Sequence, residues 1–203
     1  MDQDSKLPQI LLASVSPRRR QLLEALGIPF QIRNPNCDEV QPSVSDVHAG
    51  ILKNAAAKAQ SILANVSDAA TVVVAADTLV MVQNRILGKP RDKEDARQLL
   101  ALHSVQTHTV LTGLALASKK FGERTAVDET RVTFRKLSDT EIESYLTTKE
   151  PYDKAGAYAV QGLGALFIHQ IEGSYTNVMG FPLELFLREL GALTHRSPHE
   201  WFL

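Results

Sequence analysis

The run "ATVVVAADTLVMV" at residues 70–82 limits the fold more than any other stretch of the chain. Its β-branched and apolar residues follow one another without the polar alternation of a half-solvated strand, so it reads as a strand covered on both faces. Such a strand needs helices on either side of it. The rest of the chain supplies them, because short apolar runs alternate with helical periodicity in the manner of an α/β protein.

"QILLAS" at residues 9–14 is strand-like, and Pro17 then fits the first turn of a helix, "PRRRQLLEAL", that closes at Gly27. Apolar residues at Val47, Ile51, Leu52, Ala55, Ala59, Ile62 and Leu63 form a one-sided stripe. They predict the longest helix, with Ser45 or Asp46 as its N-cap. After the central strand, "QNRI" is a turn leading into "ILGKP", and residues 91–103 form an amphipathic helix. Two long strands over 107–118 and 124–137 flank the polar turn "KKFGE", and Ser138 with Glu141 opens a helix through a capping box. The glycine-bearing stretch "EPYDKAGAYAVQGLG" reads as a loop, "ALFIHQIEG" as a strand and "FPLELFLREL" as the last helix.

At 203 residues the chain is expected to form one domain, with residues 1–9 and 194–203 as terminal tails. The single cysteine, Cys37, excludes an internal disulfide and a thiolate metal cluster and suits a reducing, cytoplasmic compartment. No apolar run approaches the roughly 18 residues of a membrane span. With 22 basic against 23 acidic residues, the formal net charge of -1 gives no general attraction to nucleic acid or to an anionic membrane. Any basic site must be local.

One such site is conspicuous. Arg18, Arg19 and Arg20 follow Ser14, Ser16 and Pro17 at the start of the first helix, where cations oppose the helix macrodipole unless an anion is bound there. A solvated cationic face is the alternative reading. Asp77 with Thr78 is the second candidate. A carboxylate within the most apolar run is costly to bury without a cation, a metal or hydrogen-bond donors, and we expect it at the end of the strand, where α/β sheets bind ligands or where it could cap a neighbouring loop. Lys58, Lys89 and Glu39 are unremarkable singly. Asp153, Lys154, Gly156 and Gln161 share the glycine-bearing loop, and the Gln161 amide could read the edge of a base. The six histidines show no ligand spacing, and no nucleophile elbow, Walker A or dinucleotide fingerprint is present.

Taken in order, "LLASVSPRRRQLL", "AADT", "GKP" and "EPYDKAGAYAVQG" resemble the Maf family of nucleoside triphosphate pyrophosphatases from about Ile10 to about Leu190. The resemblance implies an α/β fold with an elongated mixed sheet, flanking helices and two lobes around a central cleft. It implies hydrolysis of a nucleoside triphosphate to the monophosphate and pyrophosphate with Mg²⁺ or Mn²⁺. On this pattern Asp77 is the catalytic base, Glu39 and Asp77 hold the metal, and Ser14, Ser16, Arg18, Arg19, Lys58, Thr78, Lys89, Lys154 and Gln161 bind substrate. "DKAGAY" with "VQG" resembles the dTTP and UTP subgroup, with Arg18, Thr78 and Gln161 as specificity positions. Arg20 falls outside the pattern and is expected in solvent. Asn54 departs from it, standing where the family has leucine. The family also leaves open a nucleotide-sensing module acting on septum formation, a paralogue acting on methylated guanine nucleotides, and a homodimer.

Overall fold

The strand predicted from residues 70–82 is β3, Val72–Val82, and it forms the middle of a seven-stranded mixed sheet. The structure, a computed structural model, describes residues 7–202. β1, Ile10–Ala13, runs parallel to β3 on one side and to β2, Phe30–Arg33, on the other. On its opposite side β3 pairs antiparallel with β5, Thr107–Ser118, which pairs with β6, Gly122–Phe134, and β6 with β7, Ile168–Glu172. The short β4, Arg85–Leu87, folds back onto the end of β3 through Gln83 and Asn84, whose φ values of 48° and 57° suit a two-residue hairpin turn.

β3 is covered on both faces, as its composition demands. Val72, Val74 and Ala76 enter a core built with α1, Pro17–Ala25, and α6, Leu183–Thr194. Val73 and Ala75 point the other way, against α2, Val47–Leu63, which is the longest helix. Val80 and Val82 belong to a further core with α3, Lys93–His103, and α4, Asp139–Leu146. Because β3, β5 and β6 are long enough to pass through more than one core, two lobes share a single sheet. Thr78 lies where the core under α1 and α6 stops and the core under α3 and α4 begins.

The position of Asp77 corrects the expectation from sequence. It is the sixth residue of an eleven-residue strand, not its last, since Leu79, Val80 and Val82 carry the β pattern onward. The strand nevertheless has an edge at that point. β1 pairs with β3 only at Val72, Val73 and Val74, and β4 only from Val80. Between them β3 keeps a ladder partner on the β5 side alone, where Asp77 is opposite Gly113.

Helix caps fall where local chemistry places them. Ser138 and Glu141 form the predicted capping box of α4, with the Ser138 hydroxyl accepting from Glu141 N at 3.3 Å and the Glu141 carboxylate accepting from Ser138 N at 2.9 Å. At α2 the N-cap is Asp46, one of the two residues expected, but its side chain makes no cap hydrogen bond to the helix. Asp46 instead turns back onto Ser43, accepting from its N–H at 2.8 Å and its hydroxyl at 2.6 Å in the 3-10 turn that precedes the helix. β2 is an exposed edge strand of four residues, too short for the alternation of Phe30, Gln31, Ile32 and Arg33 to stand out in the sequence, and α5, Tyr175–Val178, is one short turn. Past Thr194 the chain folds back, and Trp201 is 4% exposed within the first core. No helix among the described residues is long and apolar enough to cross a membrane.

Candidate active site in the gap beside the central strand

Asp77 faces α2 and is 7% exposed. One of its carboxylate oxygens, Oδ1, accepts from Lys58 Nζ at 2.8 Å, and the other, Oδ2, accepts from Asn54 Nδ2 at 2.9 Å. Asn54 and Lys58 are four residues apart on α2, so one helix face presents both donors to the carboxylate. Lys58 Nζ also lies 3.2 Å from Glu39 Oε2. A buried Lys–Asp pair adds little net stability, because desolvation offsets the attraction. Its place beside an open stretch of strand is therefore a functional signal.

Alternation along β3 sends Thr78 to the opposite face. Its hydroxyl lies 3.0 Å from the Thr112 hydroxyl and 3.2 Å from Arg19 Nη2, which donates to it. Arg19 also donates from Nη1 to Ala76 O at 2.8 Å and from Nε to Gly180 O at 2.9 Å. The guanidinium thus takes up a carbonyl of β3 at the unpaired stretch and ties it to the turn before α6. Burial pushes the Arg19 pKa down to about 10, against the opposing pull of Asp77. Arg20, as expected, lies in solvent, paired with Glu24 at 2.7 Å.

The other predicted residues surround these two groups. Ser14 is buried and its hydroxyl accepts from Ser16 N at 3.1 Å, which shapes the turn entering α1, while Ser16 makes no side-chain cap to the helix. Arg18 is half-buried and forms no hydrogen bond or ion pair among the described residues, but its charge reaches the loop carrying Asp153. Burial works against the Asp153 carboxylate, yet Lys154 and Arg18 hold it below the ordinary carboxylate range. Lys154 is tied within its own loop, donating to Glu150 O at 3.1 Å and pairing with Asp153. Lys89 is exposed, and its loop meets the next through Gly156 N donating to Gly88 O at 3.0 Å. Gln161 is half-buried at the start of a 3-10 turn, with no side-chain hydrogen bond among the described residues. Glu150 organises that turn by accepting from Leu163 N at 3.1 Å and Gly164 N at 2.9 Å. Cys37 lies in the loop of Glu39, and burial pushes its thiol up.

Direct contact therefore joins Asp77, Lys58 and Glu39 on one face and Arg19 with Thr78 on the other. Lys89 and Gln161 stay apart on flanking loops. Sequence reasoning missed Asn54, Gly113, Thr112 and Glu150 as parts of this arrangement. Only Asn54 carried a readable signal, since it stands one helical turn before Lys58.

The fold and the site together define an α/β protein that keeps a buried carboxylate, gripped by a lysine, in a gap of its sheet. The family model described as "Maf-like protein" matches residues 9–193, and the chain belongs to that family. It is 45% identical over 181 residues to the dTTP/UTP pyrophosphatase of Halalkalibacterium halodurans, covering 89% of this chain and 94% of that protein. It is 43% identical over 190 residues to the dTTP/UTP pyrophosphatase of Syntrophus aciditrophicus, covering 92% of each. Among solved structures, a HAM1 protein from Coxiella burnetii superposes with a TM-score of 0.46 at 14% identity, over 97% of this chain and 94% of that one.

Proposed function

We propose that the chain hydrolyses dTTP and UTP to the nucleoside monophosphate and pyrophosphate. The observation that carries this reading is the Asp77 carboxylate, buried and held at both oxygens by Lys58 and Asn54, in a chain 45% identical over 181 residues to a dTTP/UTP pyrophosphatase. Such a group can orient a water molecule and take its proton as the oxygen attacks the α-phosphorus. The bond from that phosphorus to the bridging oxygen breaks, and pyrophosphate leaves with the electron pair. Because the substrate carries close to four negative charges, most of the catalysis is positioning and neutralisation. Arg18, Lys89 and Lys154, with the N-terminus of α1 and its Ser14–Ser16 turn, are the groups we assign to the phosphates. Arg19 contributes by holding the walls of the gap.

Glu39 and Asp77 would hold a divalent ion, Mg²⁺ or Mn²⁺, that arrives with the nucleotide, and Lys58 Nζ, at 3.2 Å and 2.8 Å from their oxygens, shares the two carboxylates with it. No group of three or more His, Cys, Asp or Glu among the described residues could hold a metal ion by itself. Two carboxylates beside phosphate oxygens and water are the ordinary Mg²⁺ arrangement. When bound, the ion would neutralise phosphate charge. Thr78 and Gln161 are the positions we assign to base choice, since a glutamine amide can donate to a pyrimidine carbonyl and accept from N3–H. This reading puts the enzyme in the cytoplasm with its nucleotides and leaves nucleic acid polymers and membranes outside its partners.

The test is pyrophosphate release from dTTP, UTP, CTP and GTP with Mg²⁺ or Mn²⁺. The wild type should favour dTTP and UTP, and Asp77→Asn should lower the rate by at least about 10²-fold while nucleotide binding survives. Turnover retained by the variant would remove Asp77 from the mechanism.

A further inference from the structure

We propose that Asn54 is a positioning residue for the reaction, one that aims the Asp77 carboxylate and clamps the loop of Glu39; this rests on the pyrophosphatase reading above. Asn54 is 3% exposed, and its amide is fully engaged. Its Nδ2 donates to Asp77 Oδ2 at 2.9 Å and to Val40 O at 3.0 Å, while its Oδ1 accepts from Val40 N at 2.8 Å. Both amide protons are spent on these two acceptors, and the reverse orientation of the amide would set its oxygen against the Asp77 carboxylate and the Val40 carbonyl. The network therefore admits one orientation.

The consequence is geometric. Val40 follows Glu39 directly, so the two bonds to the Val40 backbone fix where Glu39 enters the site. The third bond fixes the rotation of the Asp77 carboxylate about its last torsion. Lys58 then meets an aimed carboxylate on one side and Glu39 on the other. A leucine at position 54 would keep the branched shape, take up more room and make none of the three bonds. In this chain the asparagine ties the acidic loop, the helix and the central strand at a single point, and it acts on the reaction through Asp77 and the Glu39 loop.

The experiment compares wild type, Asn54→Leu and Asn54→Gln for kcat and KM on dTTP, alongside thermal unfolding. Removing a hydrogen-bond partner of a metal-ligating carboxylate, the role assigned to Asp77 above, typically costs about 10- to 100-fold in metal affinity or activity. Asn54→Leu should lose about 10- to 100-fold in kcat with KM little changed, a loss larger than its folded fraction accounts for, and Asn54→Gln, which keeps the donors and the acceptor, should recover part of it. Asn54→Ala serves in place of the leucine variant should that variant fail to fold. An active wild type whose Asn54→Leu form keeps full kcat, or loses activity only in step with its folded fraction, overturns the proposal alone. A wild type that releases no pyrophosphate overturns the catalytic reading and this proposal with it.

Discussion

Arg19 and Arg20 are adjacent, chemically identical and differently used. Arg19 reaches over the end of β1 and satisfies Ala76 O, Gly180 O and Thr78 Oγ1, whereas Arg20 points into water beside Glu24 with 59% of its side chain exposed. Their substitutions should separate accordingly. Arg19→Ala leaves acceptors unpaired in a half-buried place, at about 1–3 kcal/mol for such a group, and should lower the urea midpoint. Arg20→Ala should change stability by no more than about 0.5 kcal/mol and leave pyrophosphate release unchanged. Equal effects on the urea midpoint would mean that the Arg19 guanidinium is not the strut described here. The same residue scale explains why neighbours Asp77 and Thr78 do unlike things, since successive residues of a strand face opposite sides.

At the scale of elements, the site depends on how closely α2 lies on the sheet. Gly113 stands opposite Asp77 in the β3–β5 ladder, and a Cβ there would fall 2.8 Å from Ile51 O and 2.9 Å from Ile51 C. Those are backbone atoms of the helix that carries Asn54 and Lys58, so they cannot swing aside as a side chain could. Gly113→Ala should therefore push α2 outward, costing about 1–3 kcal/mol in overpacking and lowering turnover on dTTP because both donors to Asp77 move with the helix. Urea unfolding and initial rates on the same preparation test this. A variant as stable and as active as wild type would show that the α2 contact has slack.

The whole molecule carries a pair of buried imidazoles in the core under α3 and α4. The rings of His103 and His108 are 4.3 Å apart between centroids, packed with Phe134 and Tyr158. His103 Nε2 donates to Gly156 O at 3.1 Å, His108 Nε2 lies 2.7 Å from the Tyr158 hydroxyl, and both Nδ1 atoms are buried without a hydrogen-bond partner among the described residues. Burial pushes the His103 pKa down to about 4, and burial with the neighbouring His103 pushes His108 lower still. The unfolded chain takes up protons on both histidines near pH 6.5, while the folded chain does not. Their contribution is therefore complete above about pH 6.5 and is lost as pH falls toward 4, at about 1.4 kcal/mol per pH unit for each. Carboxylates held low, such as Glu141 at about 2, lose their contribution only at lower pH. The urea midpoint should thus fall between pH 6.5 and 5, and an unchanged midpoint over that interval would show that the pair is not held neutral.

What the sequence determined by itself is what local rules govern. The apolar run of β3 demanded cover on both faces, the stripe of α2 followed from helical periodicity, and the Ser138–Glu141 box used groups three residues apart. Motif order was enough to indicate the family. What the tertiary structure decided spans longer separations. Lys58 meets Asp77 across 19 residues, Asn54 meets it across 23, and Arg19 reaches Ala76 across 57 and Gly180 across 161. The gap at Asp77 exists because β1 ends early and β4 begins late, a property of pairing between strands that neither strand's residues state. Which arginine faces the gap, why glycine must stand at position 113 and what asparagine does at 54 follow from the approach of elements in space, and periodicity along the chain carries no record of that distance.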